Sequence, residues 1–122
     1  MNRIKNLSGI QAFRANDGTW LREVFHPLND GVDIPYSVAH ASLEKGESSL
    51  PHILDHEEMY LILSGVGEMN LDGETVAVCS GDHLVVPGGV VQSLRNTGET
   101  PLVFYCLVSP PWSPESDRLA TP

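Results

Sequence analysis

Turn-forming residues recur along this chain at intervals that leave room for one short strand at a time. The signals are Asn16-Asp17-Gly18, Asn29-Asp30-Gly31, Lys45-Gly46, residues 64–67, Asp72-Gly73, Ser80-Gly81-Asp82, Pro87-Gly88-Gly89 and Thr97-Gly98. Short strands between Gly-rich turns describe an all-β sandwich or barrel, not a parallel α/β sheet. No window sustains a 3.6-residue apolar period, so little helix is expected, at most a short turn near either end. Asp72-Gly73 is the strongest hairpin signal, because both residues tolerate the positive φ of a type I′ turn.

The 122 residues suffice for one domain with its own core. Sixteen acidic residues against seven basic ones give a formal net charge of −9. Nucleic acid requires a basic footprint, so no nucleic-acid partner is expected. The same imbalance speaks against an anionic membrane surface, and no apolar run approaches the ~20 residues needed to span a bilayer. Residues 1–10 have no apolar stretch of the signal-peptide kind, and a cytoplasmic protein is expected. Cys79 and Cys106 have the spacing of neither a zinc ribbon nor a redox motif, and both are expected to be reduced and buried.

Residues 46–65 concentrate the chemistry. His52, His56, Glu57 and Glu58 fall within a few positions and lead directly into Met59-Tyr60-Leu61-Ile62-Leu63. Pro51 before this stretch and the Gly-rich turn after it favour strand over helix. On a strand, His52, Leu54, His56, Glu58, Tyr60 and Ile62 share one face. Imidazoles and a carboxylate converging from one face point to a divalent transition metal.

The same stretch and residues 81–96 resemble the two motifs of the cupin superfamily. Gly46, His52, Glu58 and Gly65 fall on the first motif, and Gly81, Pro87, Gly89 and Asn96 on the second. The resemblance implies a single cupin domain over residues 1–122, a jelly-roll barrel of two antiparallel sheets. It also looks like the small cupins similar to polyketide cyclases. Two positions depart from the pattern. Leu54 stands where the family's second histidine would be, and Gln92 replaces the histidine of the second motif. By parity His56 is a substitute for the first, and Gln92 offers an amide oxygen. The metal set expected from this is His52, His56, Glu58 and Gln92, with Glu58 either ligating or bonding to a ligand. Zinc, iron, manganese and nickel all suit such donors.

Other candidates are set by parity alone. His40 shares a face with Tyr36, Val38 and Ser42 on a strand; if that face looks inward, His40 completes the set or acts on substrate, and otherwise it is a structural histidine. Tyr60 has the parity of the site and is either an acid or base there or a core tyrosine. His26 is expected to be structural or exposed, and His83 to point away. Residues 101–108 are apolar on both faces, which suggests a homodimer covering one of them. The following Pro110-Pro111-Trp112 is expected to cross the barrel as an extended strap.

These readings lead to a small-molecule partner and a metal acting as a Lewis acid on an enol, dicarbonyl or carboxylate, in cyclase- or isomerase-like chemistry. A dioxygenase and a non-enzymatic ligand-binding module are the alternatives, since one fold hosts many activities.

Overall fold

The computed structural model describes residues 3–120. Its strands are β1 (Phe13–Arg14), β2 (Trp20–Phe25), β3 (Ser37–Leu43), β4 (His52–Leu54), β5 (Glu57–Ser64), β6 (Val66–Leu71), β7 (Glu74–Cys79), β8 (His83–Val86), β9 (Val91–Asn96), β10 (Leu102–Ser109) and β11 (Asp117–Leu119). They form a six-stranded sheet in the order β1-β2-β3-β10-β5-β8 and a five-stranded sheet in the order β11-β4-β9-β6-β7. All pairings are antiparallel. Among the described residues, helix is limited to one turn, α1 (Pro27–Asp30), and short 3-10 turns at Leu7–Gly9 and Pro114–Ser116. The all-β architecture expected from the turn spacing, and the two-sheet jelly roll implied by the resemblance, are what the chain adopts.

Local chemistry explains the corners. Asp72 and Gly73 have φ of 51° and 91°, the positive values that join β6 to β7. Proline at the first position of α1 and left-handed Gly31 after it confine that helix to a single turn. Gly88 has a different constraint. A Cβ there would stand 2.2 Å from the Asp55 carbonyl oxygen, so only glycine lets the loop before β9 press on the β4–β5 turn.

Alternation along the strands divides the interior into two zones. At one end Leu43, Ile62, Met69, Leu94 and Leu102 are almost wholly buried and fill the space between the sheets. At the other end the inward residues are smaller or polar, with Ala39, Ala41, His52, Glu58 and Cys106, and a cavity remains. Asn96 closes the packed end by donating its amide to the Leu43 and Thr100 carbonyls at 3.0 and 2.9 Å.

The proline-rich tail forms a strap that crosses from the larger sheet to the smaller, from β10 to β11. Trp112 N donates to Ser37 Oγ at 2.9 Å, and its indole donates to Asp117 at 2.9 Å. His26 is structural: Nδ1 accepts from Leu28 N, and Nε2 donates to the Trp112 carbonyl at 2.6 Å. Cys106 is buried, but Cys79 is exposed, contrary to expectation. It lies on β7, an edge strand on which only Val78 is buried.

Candidate functional site

The cavity has a volume of about 380 Å³. Its floor comes from β4, β5 and β10, and its rim from the β1–β2 hairpin and the strap. Leu54, Phe104, Val108 and Trp112 make much of the wall apolar. The hairpin is held in place because Leu50 N donates to the Asp17 carbonyl at 2.7 Å.

His52 and Glu58 both line this cavity and are both buried, 6% and 8% exposed. His52 Nδ1 lies 2.9 Å from the Leu50 carbonyl oxygen, an acceptor only, so Nδ1 carries a proton. Nε2 is left for the cavity. Asp17 Oδ2 lies 3.7 Å from the same Nδ1. Glu58 Oε1 is buried without a hydrogen-bond partner. Burial pushes the Glu58 carboxyl up to about 7, against the opposing pull of His52, Gln92 and Cys106. An unsatisfied buried carboxyl oxygen is costly to maintain.

Tyr60 stands beside Glu58 on the same face of β5, and its hydroxyl donates to Gln92 Oε1 on the opposite sheet. Its ring packs on Phe104 with centroids 5.6 Å apart. Burial, and then the Glu58 charge, hold the phenol well above its usual range. Cys106 is opposite Tyr60 in the β5–β10 pairing, and burial together with Glu58 raises its thiol well above the ordinary value.

The two remaining sequence candidates lie elsewhere. β4 ends at Leu54, and Asp55-His56 form a turn before β5, which breaks the strand parity assumed for His56. The His56 ring instead lies 2.9 Å from the Pro110 carbonyl oxygen, and Leu54 occupies the cavity wall. On β3 the inward residues are Ala39 and Ala41, so His40 faces outward, edge-to-face with Tyr105 at 5.2 Å. Partial burial and then Arg22 lower its pKa. His83 is exposed, as expected.

Sequence reasoning missed Asp17, Cys106, Trp112 and Asp117 as cavity residues. Cys106 had the right parity with Phe104, but only the strand register sets it opposite Tyr60. Asp17 reads as a turn residue, which it is; its approach to His52 depends on hairpin docking.

A family model for the cupin domain matches residues 39–108, more than half of the chain. The chain belongs to the cupin family. A curated relative, the uncharacterized protein MJ1618 of Methanocaldococcus jannaschii, is 34% identical over 111 residues, covering 90% of this cupin and 88% of the relative. Among solved structures, the polyketide cyclase RemF from Streptomyces resistomycificus superimposes with a TM-score of 0.84 at 18% identity, covering 100% of this cupin and 87% of that chain. Streptomyces PAC13 with uridine gives a TM-score of 0.79 at 18% identity, covering 99% and 92%. At such identities the structural likeness speaks to the fold.

Cupins often bind a metal, which needs several donor side chains converging on one point. Among the described residues, no three His, Cys, Asp or Glu side chains converge as a metal would need. His52 and Glu58 meet at the cavity, but His56 is turned away and Gln92 Oε1 is already accepting from Tyr60. One imidazole, one carboxylate and an engaged amide do not make the four-ligand site of the sequence expectation.

Proposed function

We propose that this cupin is an acid–base enzyme acting on a small organic molecule, with His52 and Glu58 as its paired proton-transfer groups. The observation that carries the proposal is Glu58 itself, a buried carboxyl that lines a ligand-sized cavity and has one oxygen without a hydrogen-bond partner. A carboxyl raised to about 7 exchanges its proton readily at neutral pH, as general acid–base catalysis requires.

The roles follow from the hydrogen bonds. With Nδ1–H held by the Leu50 carbonyl, Nε2 presents a lone pair and accepts a proton from the carbon next to a substrate carbonyl. Protonated Glu58 donates its proton to that carbonyl oxygen as the enol forms. Tyr60, fixed by Gln92, and the apolar wall exclude water and hold the substrate against this pair. Enolisation of this kind is the shared first step of isomerisation, elimination and aldol-type cyclisation. A cyclase and a uridine-bound protein built on the same fold are consistent with a small organic ligand.

The test is hydrogen–deuterium exchange at carbon. Enolisable ketones incubated in deuterated buffer are followed by proton NMR with the native protein, chelator-treated protein, Glu58→Gln and His52→Gln. Exchange that survives chelation and disappears in both variants is expected. Exchange abolished by chelator and restored by zinc, iron, manganese or nickel would establish the metal-dependent Lewis-acid reading instead. A panel that binds without exchanging protons would favour a ligand-binding module.

A further inference from the structure

The charges lining the cavity are strongly one-sided. Asp17, Glu23, Glu58 and Asp117 contribute four carboxyl groups, whereas Arg14 is the single Lys or Arg among the lining residues described. That guanidinium is already committed. It donates to the Gly18 carbonyl at 2.6 Å and to Glu47 Oε2 at 3.0 Å, and it lies 4.2 Å from the Trp20 ring centroid. Among the described lining residues no uncommitted Lys or Arg is left to receive an anion.

The carboxyl groups are positioned by their partners rather than neutralised. Glu23 accepts from the neutral Asn29 amide at 2.6 Å, Asp117 from the Trp112 indole, and Asp17 Oδ1 from Thr19 N at 3.0 Å. At the floor, Glu58 Oε1 has no partner. A concave site with low-dielectric walls focuses the potential of such groups into its interior. A carboxylate or phosphate entering it would meet the carboxylates of Asp17, Glu23 and Asp117 and lose most of its hydration, with protonated Glu58 as its main replacement partner.

We infer that the cavity selects a compact apolar molecule carrying a cationic nitrogen, such as an amino ketone, and rejects carboxylates and phosphates. The inference rests on the acid–base reading of the same site, with the reacting carbonyl at Glu58 and His52 and the ammonium toward Glu23 and Asp117. It replaces the anionic enolate or carboxylate substrate expected when a metal was assumed to supply positive charge.

Three probes with one body and different heads test it: 2-phenylethylamine, 2-phenylethanol and 3-phenylpropionate, titrated by calorimetry at neutral pH. The amine is expected to bind about tenfold or more tightly than the alcohol, and the acid more weakly than both. Added salt should reduce the preference for the amine. Glu23→Gln with Asp117→Asn preserves shape and hydrogen-bonding capacity while removing charge, and should shrink the amine-to-alcohol ratio about threefold or more. If that pair unfolds the chain, Glu23→Gln alone, on a half-exposed strand, should move the ratio the same way.

An acid that binds as tightly as the amine overturns the inference, as does a ratio unaffected by charge removal or no binding by any probe at millimolar concentration. Alcohol and amine binding equally would end charge selection while leaving the acid–base reading intact. That reading fails separately, by absence of carbon exchange.

Discussion

Tyr60 and Gln92 tie the two sheets together across the barrel, the phenol on β5 donating to the amide oxygen on β9. Gln92 is 1% exposed, so its amide has no water to turn to. The glutamine that stands where the family motif has histidine is therefore a partner for tyrosine in this chain. Tyr60→Phe should cost about 1–3 kcal/mol in urea denaturation, because it orphans a buried acceptor. Tyr60→Phe combined with Gln92→Leu should lose less than the sum of the single changes, and strict additivity would show that the bond contributes nothing.

Glu58 has a signed effect on stability. Its pKa rises from 4.5 to about 7 on folding, so the folded chain holds the proton more tightly than the unfolded one. Its favourable contribution is complete below the unfolded value and is lost as pH rises through the folded one. Glu58→Gln should therefore gain in melting temperature relative to the native chain between about pH 5 and about pH 8, measured with chelator present. A pH-independent difference would mean that Glu58 is not desolvated.

Leu54 occupies the cavity wall at the position of the family's second histidine, while His56 lies off it. Leu54→His should create affinity for zinc detectable by calorimetry, and more so when joined to Gln92→His. His56→Ala should leave zinc binding by the native chain unchanged. Loss of a native zinc site in His56→Ala would restore this histidine to the ligand set.

Gly88 is in contact with the turn that carries His56 away. With a Cβ 2.2 Å from the Asp55 carbonyl oxygen, Gly88→Ala must shift backbone against backbone. A loss of about 1–3 kcal/mol is expected, with amide NMR shifts concentrated at Asp55 and His56. An unperturbed spectrum would show that the loop yields freely.

The outer face of the six-stranded sheet motivates the dimer expectation. Met59, Leu63 and Val85 are 36%, 39% and 60% exposed there, around the half-buried Val103, Tyr105 and Leu107 of β10. Light scattering should give a dimer, and Val85→Glu should shift it toward monomer. A monomeric native chain at micromolar concentration would leave this face without that role.

The amino-acid sequence by itself determined the architecture and much of the site. Turn residues at short intervals, strand alternation and the two motif frames gave an all-β barrel with His52, Glu58 and Tyr60 on one inward face, because these signals are local. Parity failed where the local pattern was interrupted. His56 lies in a turn rather than on the strand, and the direction in which β3 presents its two faces follows from its pairing with β2 and β10. The tertiary structure alone decided which groups meet. Asp17 approaches His52 because a distant hairpin docks on Leu50; Cys106 stands opposite Tyr60 because of strand register; Gln92 turns to a tyrosine on the other sheet. The physical reason is that burial, charge and hydrogen-bond satisfaction belong to the space between elements. An unpartnered oxygen such as Glu58 Oε1 exists only once that space has closed.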